Sequence, residues 1–176
     1  MGEIETGDHT GDPSGLLSLD NQLCFPLYAA SNLLGRVYRP LLAPLGLTYS
    51  QYLVMLVLWN EGPVHVGTLA RRLYIDSGTM TPMLKRMQKL GLLTRTRDGT
   101  DERCVVVHLT AEGEALRTRA AEVPAALSKR IGDRLGQDAA EGLRAAARGL
   151  VDLLCADLDQ FSGGSTPNTA LSSCIK

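Results

Sequence analysis

The stretch from Val66 to Leu109 constrains the fold more than any other part of this 176-residue chain. Within it Met80, Met83, Leu84, Met87 and Leu90 recur at three- and four-residue spacing, which places them on one stripe of a helix running from Gly78 to Leu90. Asp76 or Ser77 is positioned to cap that helix, and Gly91 to close it. Ahead of it, Val66 to Leu73 reads as a short helix with Leu69, Ala70 and Leu73 inward and Arg71 and Arg72 outward. Behind it come two short β-type runs, Leu92 to Arg97 and Cys104 to Leu109, joined by the turn-forming, charged segment Asp98 to Arg103. That pair is a β-hairpin with a charged tip.

The flanking segments are helical. Leu19 to about Tyr38 reads as one helix, capped by Ser18 or Asp20 and broken by Pro40 and Pro44. Thr48 with Gln51 three residues on forms a capping-box pair for a second helix, which Gly62-Pro63 ends. Thr110 caps a helix running through Ala120 and bent at Pro124. A last helix, roughly Asp138 to Phe161, lines up Leu143, Leu150, Val151, Leu154, Cys155 and Leu158 on its apolar side. The fold expected is mainly α with a small β-hairpin wing: a winged helix-turn-helix domain at 45–111, and a helical dimerisation region at 18–44 and 112–161. Residues 1–17 and 162–176 are poor in apolar side chains and are expected to be mobile tails. The flanking helices have apolar faces with no partner inside so small a domain, which points to a homodimer presenting two recognition helices.

Charge bears on function once it is located. Eighteen Lys and Arg against nineteen Asp and Glu give a formal net charge of −1, which taken whole does not suggest a nucleic-acid binder. Between Arg71 and Arg103, however, lie eight basic and four acidic residues, so that window carries +4 and the remainder −5. A basic patch of this kind is an electrostatic footprint for phosphate, although a solvated helix face is the commoner cause of a charge run. Combined with the helix order and wing, it assigns a DNA-binding role to Asp76, Ser77, Thr79, Thr81, Pro82, Lys85 and Arg86 at the recognition helix, and to Arg95, Arg97, Asp101 and Arg103 in the hairpin. Arg103 is placed to enter a narrow minor groove, and Asp101 to orient Arg103 rather than touch DNA. For Ser77 simple helix capping is an equally good reading, compatible with contact.

Other classes recede. No apolar run approaches the ~18 residues of a membrane span. The first twenty residues carry five acids and no Lys or Arg, so a secretory leader is not expected and the cytoplasm is. Cys24, Cys104, Cys155 and Cys174 are scattered among only three His, without zinc-ligand spacing, and neither metal nor cofactor is expected.

The wing segment DGTDERCVVVHLTAEG resembles the D-x-R and L-T-x-x-G signature of the MarR family of dimeric winged-helix regulators. LDNQLCFPLYAAS, YRPLLAPLGLTYSQYLVMLVLW and LYIDSGTMTPMLKRM are similar to its organic-hydroperoxide-sensing branch, OhrR, so that the resemblance covers about Leu19 to Gly113. It implies a repressor of a peroxide-detoxification gene, bound as a dimer to pseudo-palindromic double-stranded operator DNA and released when an organic hydroperoxide oxidises Cys24. By motif the sensing tyrosines fall on Tyr28, Tyr38 and Tyr49, the latter two reaching across from the partner subunit. The chemistry agrees: a thiolate is the nucleophile toward a peroxide, and a helix start and phenol donors favour the anion. Where the two-cysteine form of the branch has a resolving cysteine, just beyond a position like Pro124, this chain has Ala125, Ala126 and Leu127. The resemblance is therefore to the one-cysteine form, in which a low-molecular-weight thiol captures the sulfenic acid as a mixed disulfide; capture by Cys174 is the alternative.

From the residues alone, Cys24 reads as well as a small buried hydrophobe and the tyrosines as interface aromatics. The alternative function is a MarR-type regulator released by a small phenolic or drug-like ligand, with Cys24 passive. A self-regenerating peroxidase lacks a second cysteine or base to restore the thiol, so an enzyme is not expected.

Overall fold

The computed structural model describes residues 13–162 of the chain, which divides between Pro40 and Leu41 into two compact units.

In the first unit, one helical turn, α1 (Pro13–Leu16), and a 3-10 turn at Leu19–Asn21 precede α2 (Cys24–Leu42). The amides of Asn21 and Gln22 donate to the carbonyls of Gly15 and Leu16, so residues 13–17 are ordered structure rather than tail. The remainder of both expected tails lies outside the described residues. The expected start near Leu19 and the break at Pro40 are also corrected: Gln22 is extended, Ser18 makes no capping bond, and the helix runs from Cys24 through Pro40 to Leu42. Pro26 is the reason. It cannot donate to the carbonyl of Gln22 and would clash with it in a continuous helix, so it is tolerated only in a first turn, where the amide would be unpaired anyway. Pro40, two residues before the helix end at Leu42, forfeits a single bond.

The second unit continues with a 3-10 turn at Ala43–Leu45 and α3 (Tyr49–Glu61). The capping box is present: Gln51 N donates to Thr48 Oγ1 at 3.4 Å and Thr48 N to Gln51 Oε1 at 2.9 Å. Then follow β1 (Val64–His65), α4 (Val66–Arg72), α5 (Ser77–Lys89), β2 (Leu93–Arg97), β3 (Val105–Leu109), α6 (Ala111–Ala120), α7 (Glu122–Leu135) and α8 (Gln137–Ser162). The sheet is antiparallel in the order β1-β3-β2, with His65 opposite Val106, and Leu93 to Arg97 opposite Leu109 to Val105. A two-residue strand is too short to show a period, which is why β1 escaped the sequence reading. Helices α3, α4 and α5 cover one another and the sheet through fully buried Leu58, Leu69, Met80, Leu84, Met87 and Val107. This is a winged helix-turn-helix.

Helix α5 ends in a Schellman motif: Leu92 N donates to Met87 O and Gly91 N to Gln88 O, with Gly91 at φ +74°. Leu90, expected on the inward stripe, is the cap residue and 57% exposed, because the chain leaves helical geometry there. The bend expected at Pro124 is instead a break at Ala121, three residues earlier, since Pro124 cannot bond the carbonyl of Ala120. Along α8, Leu143, Leu154 and Leu158 are exposed in the single chain while Leu150 and Cys155 are half-buried. Among the described residues no single helix is long and apolar enough to cross a membrane.

Candidate DNA interface and cysteine site

The start of α5 is built by Asp76. Its carboxylate accepts from Thr79 N at 2.9 Å and from Thr79 Oγ1 at 2.7 Å, and those two bonds, the hydroxyl's first, hold the Asp76 carboxyl below the usual carboxylate range. Capping thus falls to Asp76, leaving Ser77 exposed in the first turn. Thr79 spends its proton on Asp76 but keeps acceptor lone pairs, and Thr81 is half-buried. With Met80, Met83, Leu84 and Met87 inward, the outward surface of α5 carries Pro82, Lys85, Arg86 and Lys89.

The eight basic residues do not act alike. Arg72 Nε is paired with Glu61 Oε1 at 3.0 Å, and Arg95 Nε donates to Gln88 Oε1 at 2.8 Å, bracing β2 against the end of α5. Lys85, Arg86, Lys89, Arg97 and Arg103 are exposed and form no ion pair within the described residues. Arg71 is likewise exposed and, among the described residues, forms no ion pair, its guanidinium donating to Thr68 Oγ1 at 3.5 Å, so six of the eight keep an unpaired exposed charge.

The wing tip is held from within. Asp98 N donates to Cys104 O and Cys104 N to Asp101 O, both at 2.9 Å. Asp101 Oδ1 accepts from Arg103 N at 3.0 Å, so Asp101 orients Arg103 through its backbone rather than through its guanidinium. Asp98 Oδ1 accepts from Thr100 Oγ1 at 2.6 Å and from Thr100 N at 2.7 Å, while Oδ2 meets His65 Nε2 at 2.7 Å. The Thr100 hydroxyl, then His65, hold the Asp98 carboxyl well below its ordinary range. Neither His65 nor Asp98 stood out in the sequence. Asp98 next to glycine signalled a turn and nothing more, and no local pattern joins residues 33 apart.

The base of the wing explains the L-T-x-x-G segment. Thr110 caps α6 by accepting from Gly113 N and itself donates to Gly91 O. Gly113 is buried against the Leu92 carbonyl, and its own carbonyl accepts from Trp59 Nε1 at 3.0 Å. The motif therefore locks the hairpin base to α6 and α3.

Cys24 is the first residue of α2, exposed and a free thiol. That position lies at the positive end of the helix dipole, and within the single chain the thiol is exposed rather than packed in a core. Leu23 and Tyr28 are exposed and Leu27 is partly so; Tyr28, four residues on, lies on the same face of α2 one turn away. Tyr38 is fourteen residues along the same helix, roughly 21 Å by helical rise, so one chain does not bring Tyr38 to its own Cys24. Tyr49 opens α3 in the second unit, half-buried, with its phenol pushed up by that burial. The remaining described cysteines lie elsewhere: Cys104 is buried at the foot of β3, and Cys155 is half-buried on α8, where its thiol pushes the neighbouring Tyr74 phenol up.

Known proteins resemble this chain in sequence and fold. The organic hydroperoxide resistance transcriptional regulator of Bacillus subtilis is 47% identical over 124 residues, covering 69% of this chain and 84% of the relative. Reduced AbfR bound to DNA, a protein of Staphylococcus epidermidis, superposes with a TM-score of 0.66 at 33% identity, over 77% of this chain and 94% of that one. The MOSR regulator of M. tuberculosis in complex with DNA does so with a TM-score of 0.66 at 25% identity, over 77% and 98%. The Bacillus subtilis and M. tuberculosis relatives are named as transcriptional regulators, and AbfR and MOSR were solved with DNA. The MarR family profile matches residues 47–105, the span from the start of α3 to the wing. Reading helix, wing, interlocked hairpin base and relatives agree, and the chain belongs to the MarR family of transcriptional regulators.

Proposed function

We propose that this regulator is a redox-switched repressor in which Cys24 senses organic hydroperoxides. The observation that carries the reading is Cys24 itself: an exposed free thiol at the first position of α2, flanked by exposed Leu23 and partly exposed Leu27 that suit an alkyl or aryl peroxide. The thiolate sulfur attacks the outer peroxide oxygen, the O–O bond breaks, and the alkoxide leaves with a proton as an alcohol; the sulfur is oxidised to a sulfenic acid. A low-molecular-weight thiol then condenses with it, releasing water and leaving a mixed disulfide on Cys24. The relatives support the reading at the level of kind: one is a regulator of organic hydroperoxide resistance, and AbfR has been solved in reduced, overoxidised and disulfide forms.

Dimerisation completes it. The exposed leucines of α2 and α8 need cover, and the length of α2 leaves Tyr38 for the partner's cysteine rather than its own. On this reading residues 18–44 and 112–161 form the dimer, 45–111 bind a pseudo-palindromic operator in the cytoplasm, and Tyr28 together with the partner's Tyr38 and Tyr49 surrounds Cys24. Oxidation has to disfavour the DNA-bound arrangement by only a few kcal/mol to empty most operators.

The test uses duplexes enriched from a random pool by repeated binding to the reduced protein. Cumene hydroperoxide should release wild type and leave Cys24→Ser bound, with an intact-mass gain confined to wild type. Release of Cys24→Ser by the hydroperoxide, or release of reduced wild type by a phenolic molecule alone, would overturn the reading.

A further inference from the structure

We propose that His65 is a positioning residue of the DNA-reading wing: its bond to Asp98 fastens the hairpin tip to the strand that leads into α4. This rests on the reading that the wing touches DNA.

The register supplies the geometry. Strand order is β1-β3-β2, and Val106 of β3 lies opposite His65 on one side and Thr96 on the other. Paired residues share a face of a sheet, and Asp98, two residues beyond Thr96, returns to that face just past the last paired residue, Arg97. The His65 ring therefore reaches over β3 to join the two outer strands, a span of nearly 10 Å between strands that are not neighbours. Its backbone occupies the capping position of α4, yet its side chain makes no capping bond there and goes to the wing instead.

The tip needs such a tie. Within the described residues, every other hydrogen bond of residues 98–103 is internal to the hairpin. Those bonds fix the shape of the loop but not its tilt against the helix-turn-helix. Among the described residues, His65 is the residue outside the hairpin that hydrogen-bonds the tip, and Arg103 rides on that tip. Asp98 is suited to the task because Thr100 occupies one carboxylate oxygen and leaves the other for His65. The pair is sheltered, with the two side chains 27% and 20% exposed. Of the other titratable groups on the sheet, His108 is engaged with Thr96 Oγ1.

The experiment is a double-mutant cycle on DNA affinity, using the enriched duplexes and reduced protein. Arg103→Ala is expected to weaken binding roughly tenfold. His65→Ala is expected to weaken it about fivefold, the value of one net hydrogen bond, and to add nothing in the Arg103→Ala background because it acts through that arginine. His65→Gln, whose amide nitrogen can stand where Nε2 does, should restore affinity, and the amide resonance of Thr100 should shift in His65→Ala and return in His65→Gln. Unchanged binding by Arg103→Ala would overturn the wing reading on which the proposal rests. If Arg103→Ala weakens binding, the proposal itself fails on any of three results: His65→Ala binding like wild type, a His65→Ala loss that simply adds to that of Arg103→Ala, or no restoration by His65→Gln.

Discussion

Substituting Gly113 by Ala should damage this protein far more than a single methyl suggests. A Cβ there would land on the Leu92 carbonyl oxygen and come to 3.1 Å from Leu109 Cδ2. Neither neighbour can yield cheaply. The Leu92 carbonyl accepts from Thr110 N at 3.2 Å, while Gly113 itself bonds Thr110 Oγ1 and Trp59 Nε1, each at 3.0 Å. Overpacking of this kind costs about 1–3 kcal/mol. Pulling α6 away to relieve it forfeits one or two hydrogen bonds at roughly 1 kcal/mol each. Alanine is the better helix former by about 1 kcal/mol, which offsets part of the loss. The net is about 2–3 kcal/mol, or a melting temperature lowered by roughly 5–10 °C for a chain of this size. Thermal unfolding followed by circular dichroism, at fixed protein concentration, measures it. Gly142→Ala on α8, where an added Cβ meets nothing within 4 Å, is the control and should be neutral or slightly stabilising. Should Gly113→Ala melt within about 2 °C of wild type, the hairpin base has slack and the account of the L-T-x-x-G lock is wrong.

Other outcomes follow from the same structure. Lys85→Ala should lower affinity for all duplexes about equally and reduce the salt slope by about one, if its exposed ammonium meets phosphate; an unchanged slope removes it from the interface. Asp98 and Asp76 hold their protons less tightly folded than unfolded, so the stability they supply is present above the ordinary carboxylate pKa of about 3.9 and is lost as pH falls below it. The gap in melting temperature between wild type and Asp98→Asn should accordingly be widest near neutral pH and shrink as pH falls from about 5 towards 2; a constant gap would refute that account.

What could be read before the structure was local. The Thr48–Gln51 box, the Asp76 start and Gly91 end of α5, and the Thr110 cap are bonds between residues at most five apart, so spacing alone reveals them. Burial of the methionine stripe follows from helical period, and the +4 window from counting. The misjudged points were also local, because a proline in a first helical turn looks in sequence like one in a helix middle; Pro26 and Pro124 each moved a boundary.

Tertiary structure decided the pairings between distant residues. That Arg72 is neutralised by Glu61, that Arg95 braces against Gln88, and that His65 reaches Asp98 across β3 depend on how α3, the sheet and α5 pack, which no period encodes. The sequence by itself determined that this chain has a helix-turn-helix, a wing and, in a separate segment, a cysteine in a familiar motif. Only the fold sorted eight similar charges into those held by neighbours and those left facing solvent, because a side chain's partner is chosen by proximity in space.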